Sequence, residues 1–483
     1  MPTPIPLDLA IRNATVATSQ GVARMDIGVA GGRILQLGVV GPAEEEVDAT
    51  GLIATPGGVD THCHLDQVEP GMGNGAESLA TGGRSALAGG TTSAVSFLAQ
   101  IPDHSLSAVF DESMRRGEAA RIDYSFHQII TEATPEIMAE VPQIIERGIR
   151  SLKAFLTYDD ARLNDAEFLE VLETARRSGA MVAVHCENYH AIAWLTKKLL
   201  ADGRSSPKYH AWSRPKVVER EATYRAICLA ELVGTPIQIF HVSCAEVAEE
   251  IARAQARGVK VWGETCPQYL VLSETDMDRP GLEGAGFMCS PSPRAVEDQA
   301  GLWNMIRRGV IDVISSDHSA FNLEGPQGKK SGGPDTPFSK IPNGVPGVGA
   351  RMPLVFSEGV SKGRITLDHF VRLTATNPAK LYGLAPRKGD ISIGFDADIV
   401  LWDAEREVTL DSALMQHAVD YSPYEGLTVK GWPVATYLRG TLAMRDGAVL
   451  APEGAGMFLP RDRYPLGAPA DNVPNGFKAA EIP

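Results

Sequence analysis

His62 and His64 stand one residue apart in TPGGVDTHCHLDQ (55–67). In an extended segment alternate side chains share a face, so the two imidazoles point the same way, about 7 Å apart along the chain, where one metal ion could take both. His-x-His pairs also occur with no metal role, so the reading depends on company. That company is Lys153 in SLKAFLTY, His185 in VAVHCEN, His241 in FHVSC and Asp317 in SSDHS. Each alone has an ordinary structural reading: a satisfied core histidine for His185 or His241, a helix N-cap for Asp317, a snorkelling lysine for Lys153. Together they make a mixed imidazole and carboxylate ligand set, which suits zinc best, with manganese, cobalt or iron as alternatives.

Lys153 lies in an apolar setting, where an ammonium beside two divalent cations is strongly unfavourable. Burial and the metals depress its pKa and leave a free amine. Such an amine adds carbon dioxide to give a carbamate (N6-carboxylation), which carries negative charge and two oxygens. The ligand count then closes. One metal takes His62, His64, Asp317 and one carbamate oxygen; the other takes His185, His241 and the second oxygen. A water shared between them would ionise near neutral pH. Asp317 could also accept the nucleophile's proton and pass it to a departing nitrogen.

These residues need a scaffold that brings them to one place. Short apolar runs alternate with longer helical stretches through the middle of the chain: 59–64, 91–99, 122–130, 149–158, 181–187, 236–243, 259–266 and 311–319. Helical segments such as 165–179 and 245–258 lie between them. Eight strands with intervening helices predict a TIM (β/α)8 barrel, whose active face is at the C-terminal strand ends. His62, His64, Lys153, His185, His241 and Asp317 fall late in strands one, four, five, six and eight. The runs before this region (7–54) and after it (389–403 and 434–450) alternate apolar residues at period two. They predict one small β-sandwich-like domain from 1–55 and 386–450, with the barrel (56–385) inserted between its halves. Residues 451–483 are rich in Pro, Gly and Ala and read as a tail, either disordered or reaching a neighbouring subunit.

A net charge of −15 opposes nucleic acid and anionic membranes, and no basic patch is present. The N-terminus lacks a signal-peptide pattern and no apolar run is long enough to span a bilayer, so a cytoplasmic protein is expected. Six scattered cysteines have no zinc-finger spacing and read as filler between strands in a reducing compartment.

The segments PGGVDTHCHLD, GGTTSAVSF, SLKAFLTY, VAVHCEN, FHVSCAEVAEEI, GETCPQYL, CSPSPR, IDVISSDHSAF, IPNGVPGVGAR, TATNPAKLYGL and GDISIGFDADIVLWD occur in order over about residues 8 to 450. With them the sequence resembles the cyclic amidohydrolases of the amidohydrolase superfamily, most of all the dihydropyrimidinase/hydantoinase branch. The resemblance implies a barrel plus a small β domain, a binuclear centre bridged by a carboxylated lysine, and a homo-oligomer, tetramer or dimer. It implies that Tyr158 hydrogen-bonds the scissile carbonyl oxygen, and that Ser290 and Asn343 hold the ring through their backbone groups. The implied reaction opens a dihydropyrimidine or 5-substituted hydantoin to an N-carbamoyl amino acid. Allantoinase or cyclic imidase activity is the alternative within the superfamily, and a non-catalytic relative that has lost its ligands the alternative outside enzymes. The sequence departs from its relatives after Tyr158, in DDARLND, and after His64, in LDQVEPGMGNGAES. Asp159, Asp160, Arg162 or Gln67 there could face a polar ring substituent.

Overall fold

The computed structural model describes residues 6–69, 73–74 and 76–469. Eight short parallel strands form one sheet: Gly58–Asp60, Thr91–Leu98, Asp123–Ile129, Ser151–Phe155, Met181–His185, Ile237–Ile239, Val261–Thr265 and Ile311–Ile314, neighbours in that order. Seven lie within the runs the sequence singles out, and the first begins one residue before its run, at Gly58. Nearly all their residues are buried, because barrel-filling side chains cover one face and helices the other. The helix Asp165–Ser178 is set by local chemistry. The Asn164 side chain accepts the N–H groups of Ala166 and Glu167, the Glu167 carboxylate takes the Asn164 N–H, and Gly179 at φ 70° stops the helix. Phe168, Val171, Leu172 and Ala175 recur at helical spacing and form its buried stripe.

Strand one is shorter than the expected 59–64: regular pairing ends at Asp60. The seam between strands eight and one closes beyond the strand ends. Asp317 N–H donates to the His62 carbonyl at 2.9 Å, and His64 N–H donates to that of His318 at 2.7 Å. A single parallel bridge joins Cys63 to His318. Arg351, fully buried, donates in the same seam to Ile314 O at 2.9 Å and to Thr91 Oγ1 at 3.0 Å, with Val59 O at 3.4 Å. The bonds that close the barrel therefore also fix the backbone of His62, His64 and Asp317.

The second sheet joins both ends of the chain. Leu7–Thr18 pairs antiparallel with Gly21–Ala30 and parallel with Ala43–Asp48 and Ile53–Pro56. Ile53–Pro56 pairs antiparallel with Ile399–Thr409, and Thr428–Leu438, Thr441–Arg445 and Ala448–Val449 follow outward. Two of these pairs are parallel, which alternation of apolar residues does not distinguish. Residues 389–398, read from sequence as part of a strand, are not one. Gly389 and Gly394 adopt φ of +97° and +91°, and the side chains of Asp396 and Asp398 turn to Lys388 at 3.0 and 2.7 Å. Lys388 also meets Asp123, at the start of barrel strand three, at 2.6 Å, so one buried cation joins sheet to barrel.

The described part of the tail, 451–469, lies on this chain's own barrel, at the N-terminal ends of strands three and four. Tyr124 N–H donates to Met457 O at 2.9 Å, Leu459 N–H to Tyr124 O at 2.7 Å, and Arg461 N–H to Gly148 O at 3.0 Å. The buried Arg461 guanidinium donates to Ser151 Oγ at 2.8 Å and to Phe126 O. Residues 470–483 lie outside the described residues. All six cysteines are free and five of them are buried. Among the described residues no helix is long and apolar enough to cross a membrane.

Candidate active site

His62, His64 and Asp317 offer ligand atoms that all lie within 4.8 Å of one another. Asp317 Oδ1 is 3.1 Å from His62 Nε2 and 3.3 Å from His64 Nε2. Each imidazole is anchored at its other nitrogen, His62 Nδ1 by Glu264 Oε1 at 2.8 Å and His64 Nδ1 by Gln67 Oε1 at 2.5 Å. An oxygen holding Nδ1 fixes ring orientation and leaves Nε2 for a cation, the usual support of a metal-bound histidine. Burial lowers the pKa of His62, but the carboxylates of Glu264 and Asp317 outweigh it and leave the pKa raised. Burial likewise raises that of Asp317, yet His62, His64 and His241 hold it well below the usual carboxylate range. A proton here occupies a place that a dication would fill better.

On the opposite side, the His185 and His241 rings lie 4.3 Å apart, and the His241 ring lies 5.4 Å from that of His62. His185 Nε2 meets Glu187 Oε2 at 2.8 Å, and Arg214 Nη1 holds the same oxygen at 2.5 Å. Burial, reinforced by nearby cationic groups, pushes both imidazoles well below their ordinary pKa, so they are neutral bases with lone pairs free to coordinate. His241 Nδ1 has no hydrogen-bond partner among the described residues.

Lys153, 1 % exposed, completes the group. Its Nζ has no hydrogen-bond partner among the described residues. It sits 4.1 Å from the Phe240 ring centroid and 4.9 Å from that of Phe155. The Phe240 ring also stacks on His62 with a 4.0 Å centroid separation. Burial lowers the Lys153 pKa to about 8, which leaves about a tenth of it as free amine at pH 7. An orphaned buried amine beside four imidazoles and a carboxylate fits a two-metal centre. As an ammonium without a carboxylate partner it is poorly accommodated there.

Tyr158, His241 and Asp317 adopt left-handed backbone conformations at φ of 74°, 42° and 47°. Each lies where the chain leaves its strand, and such strain in non-glycine residues concentrates at functional sites. The Tyr158 ring lies 5.1 Å from that of His185, and burial raises the pKa of its hydroxyl while Arg214 and Ser290 oppose the rise. Asn343 reaches the same region less directly: its neighbour Gly344 donates N–H to Met288 O at 3.0 Å. The Asn343 Oδ1 is buried with no partner among the described residues.

Glu264, Glu187 and Arg214 are not identifiable as site residues from the sequence. The available signal was position, since GETC ends strand seven on the active rim and Glu187 follows His185 by two. Gln67 braces His64, a role different from contacting a substituent. Asp159 accepts a hydrogen bond from the Tyr189 hydroxyl, and the Arg162 guanidinium lies 3.9 Å from the Tyr189 ring centroid. Both therefore face the helix Tyr189–Ala201, and Asp160 is exposed. Residues 70–72 and 75 of the loop after His64 lie outside the described residues.

A family model described as "Amidohydrolase family" matches residues 53–443. A D-hydantoinase of Ralstonia pickettii is 42% identical over 461 residues, 95% of this chain and 100% of that protein. A D-phenylhydantoinase of Escherichia coli is 40% identical over 466 residues, 94% and 98% of the two chains. The crystal structure of a dihydropyrimidinase from Brevibacillus agri superimposes with a TM-score of 0.91 at 38% identity, covering 94% of this chain and 99% of the other.

Proposed function

This chain belongs to the Amidohydrolase family, and from that premise we propose that it is a two-metal cyclic amidohydrolase opening the ring of 5-substituted hydantoins and dihydropyrimidines. The observation that carries the reading is the buried, partnerless Lys153 amine among His62, His64, His185, His241 and Asp317. A folded chain has no structural use for such a group, whereas a carboxylated lysine shared by two metals uses every donor present. Zinc as the metal, N6-carboxylation of Lys153, a homo-oligomeric state (tetramer or dimer) and a cytoplasmic location belong to the same proposal. So does the division into a barrel (56–385) and a small β domain (1–55 with 386–450).

When bound, the two ions supply Lewis acidity and a water acidified to the neutral range. Asp317, whose carboxylate is held ionised, accepts the proton of the attacking water and delivers it to the ring nitrogen as the carbon–nitrogen bond breaks. Tyr158 donates its hydroxyl proton in a hydrogen bond to the carbonyl oxygen as charge develops there. Backbone groups of Ser290 and Asn343 hold the remaining ring amide. Glu264, Gln67 and Glu187 fix the orientation of His62, His64 and His185. Water adds across one amide bond, so the product is a single N-carbamoyl amino acid, and closure of the ring is observable at high product concentration. The relatives named for the D enantiomer support the same preference in this chain.

A panel of dihydrouracil, hydantoin, allantoin and succinimide, run on protein of measured metal content, tests the reading. Turnover of the first two, with about two ions per chain, is expected. A chain that holds less than about one ion and gains no activity from zinc or manganese with bicarbonate is not this enzyme. Carbon-13 bicarbonate should give a carbamate carbon resonance that the Lys153→Ala variant lacks.

A further inference from the structure

The loop that follows strand eight buries a second lysine whose role is unassigned. Lys329 is 1 % exposed, and its Nζ donates to the carbonyl oxygens of Ala285 at 3.1 Å and Met288 at 2.9 Å. No carboxylate among the described residues pairs with it; the ionisable neighbour acting on it is the Cys289 thiol. Burial of an unpaired cation is costly, and here it lowers the pKa to about 7. Amine and ammonium alike carry the two protons that the two carbonyls require.

The oxygen that Lys329 holds is a junction. Met288 O also accepts the N–H of Gly344, at 3.0 Å, so three segments meet on one carbonyl: 285–290, 329 and 343–344. Just beyond it, His210 Nε2 lies 2.9 Å from Cys289 O and 3.4 Å from Ser290 Oγ. Ser290 is two residues from the junction on one strand of this contact, and Asn343 one residue beyond it on the other. Peptide planes are rigid, so fixing the Met288 carbonyl direction constrains the groups that follow it. Without the lysine each carbonyl keeps one backbone donor, Gly344 N–H for Met288 O and Met288 N–H for Ala285 O, but nothing ties the two carbonyls to a common point.

We propose that Lys329 is a positioning residue for the substrate ring: by pinning the Ala285 and Met288 carbonyls it holds the backbone of Ser290 and Asn343 at the spacing the ring amide needs. The proposal rests on the reading of those two residues as ring contacts. Such contacts are made equally in ground state and transition state, so their loosening raises KM and leaves kcat nearly unchanged.

The test compares wild type with Lys329→Met, which keeps length and apolar volume but donates nothing, and with Lys329→Gln, whose amide can donate to two acceptors. All are assayed on hydantoin and dihydrouracil at matched metal content. Lys329→Met should raise KM about tenfold or more with kcat within about threefold of wild type, and Lys329→Gln should fall between the two. A Lys329→Met enzyme with wild-type KM, or one that loses kcat at constant KM, overturns the proposal. If both variants fail to fold, Lys329 is a stability residue and the proposal is also overturned. The wild-type control separates this from the functional reading, which fails only if wild type itself turns over neither ring.

Discussion

At the scale of single residues, the site is governed by groups placed where their ordinary charge state is wrong. Lys153 is the extreme case, an amine facing aromatic rings with no hydrogen-bond partner among the described residues. On the proposed role of Lys153 as a ligand common to both halves of the centre, Lys153→Ala should lose activity by at least about 100-fold. Added short-chain carboxylic acids should restore part of the rate by standing in for the lost anion. A variant that keeps full activity without such acids would remove Lys153 from the centre. Glu264 acts one step away. Glu264→Gln keeps the shape but weakens the hold on His62, and metal affinity measured by chelator competition should fall about 10- to 100-fold. The candidate ligands stand out in the sequence because their types are unusual at strand ends, and the structure draws His62, His64 and Asp317 together. Glu264 was not, because its meaning comes from a partner 202 positions away.

At the scale of elements, the strand ends decide the chemistry. The eight strands and the helix Asp165–Ser178 were legible because local signals set them: apolar runs, a capping asparagine and a stopping glycine. Their exact ends were not. Strand one gives way after Asp60 because the seam there is closed by Arg351 and by backbone bonds from Asp317 and His64, contacts no local pattern encodes. The same limit explains the misread strand at 389–398, where Asp396 and Asp398 turn to Lys388, a cation that they share with Asp123, 265 positions from the lysine. Tyr158 sits at the turn that ends strand four, in a left-handed conformation that aims the ring at His185. Tyr158→Phe keeps that aim and removes only the donor. Its kcat should drop about 100-fold or more with little change in KM, measured under saturating hydantoin. A fall in KM-controlled binding alone would make the tyrosine a ring contact.

At the scale of the whole molecule, the barrel is held by pieces far apart in sequence. Lys388 is the clearest joint, meeting Asp123 of the barrel and Asp396 and Asp398 beside the second sheet, all buried. Lys388→Met leaves Asp123 to Arg439 and Asp396 to Arg387 but strips Asp398 of its cation, and should lower unfolding stability by about 3–5 kcal/mol, read by denaturant melts. KM for hydantoin should not move in the variant that remains folded, because the joint lies at the opposite end of the strands from His62, His64 and Asp317. The union of both chain ends in one sheet was legible from the recurrence of similar β-prone runs. The course of the tail was not, since residues 451–469 have no periodicity and owe their path to single backbone bonds and one buried arginine.

That path has a consequence for how the protein comes into being. The Met457 amide bonds to Asp123 across 334 positions, and Arg461 reaches strand four from similar range. A ribosome that has released all eight barrel strands has therefore not yet produced the strap that covers their lower ends. Until it emerges, Ser151 Oγ and the Phe126 carbonyl lack their arginine, and the nascent barrel is open on the side away from its chemistry.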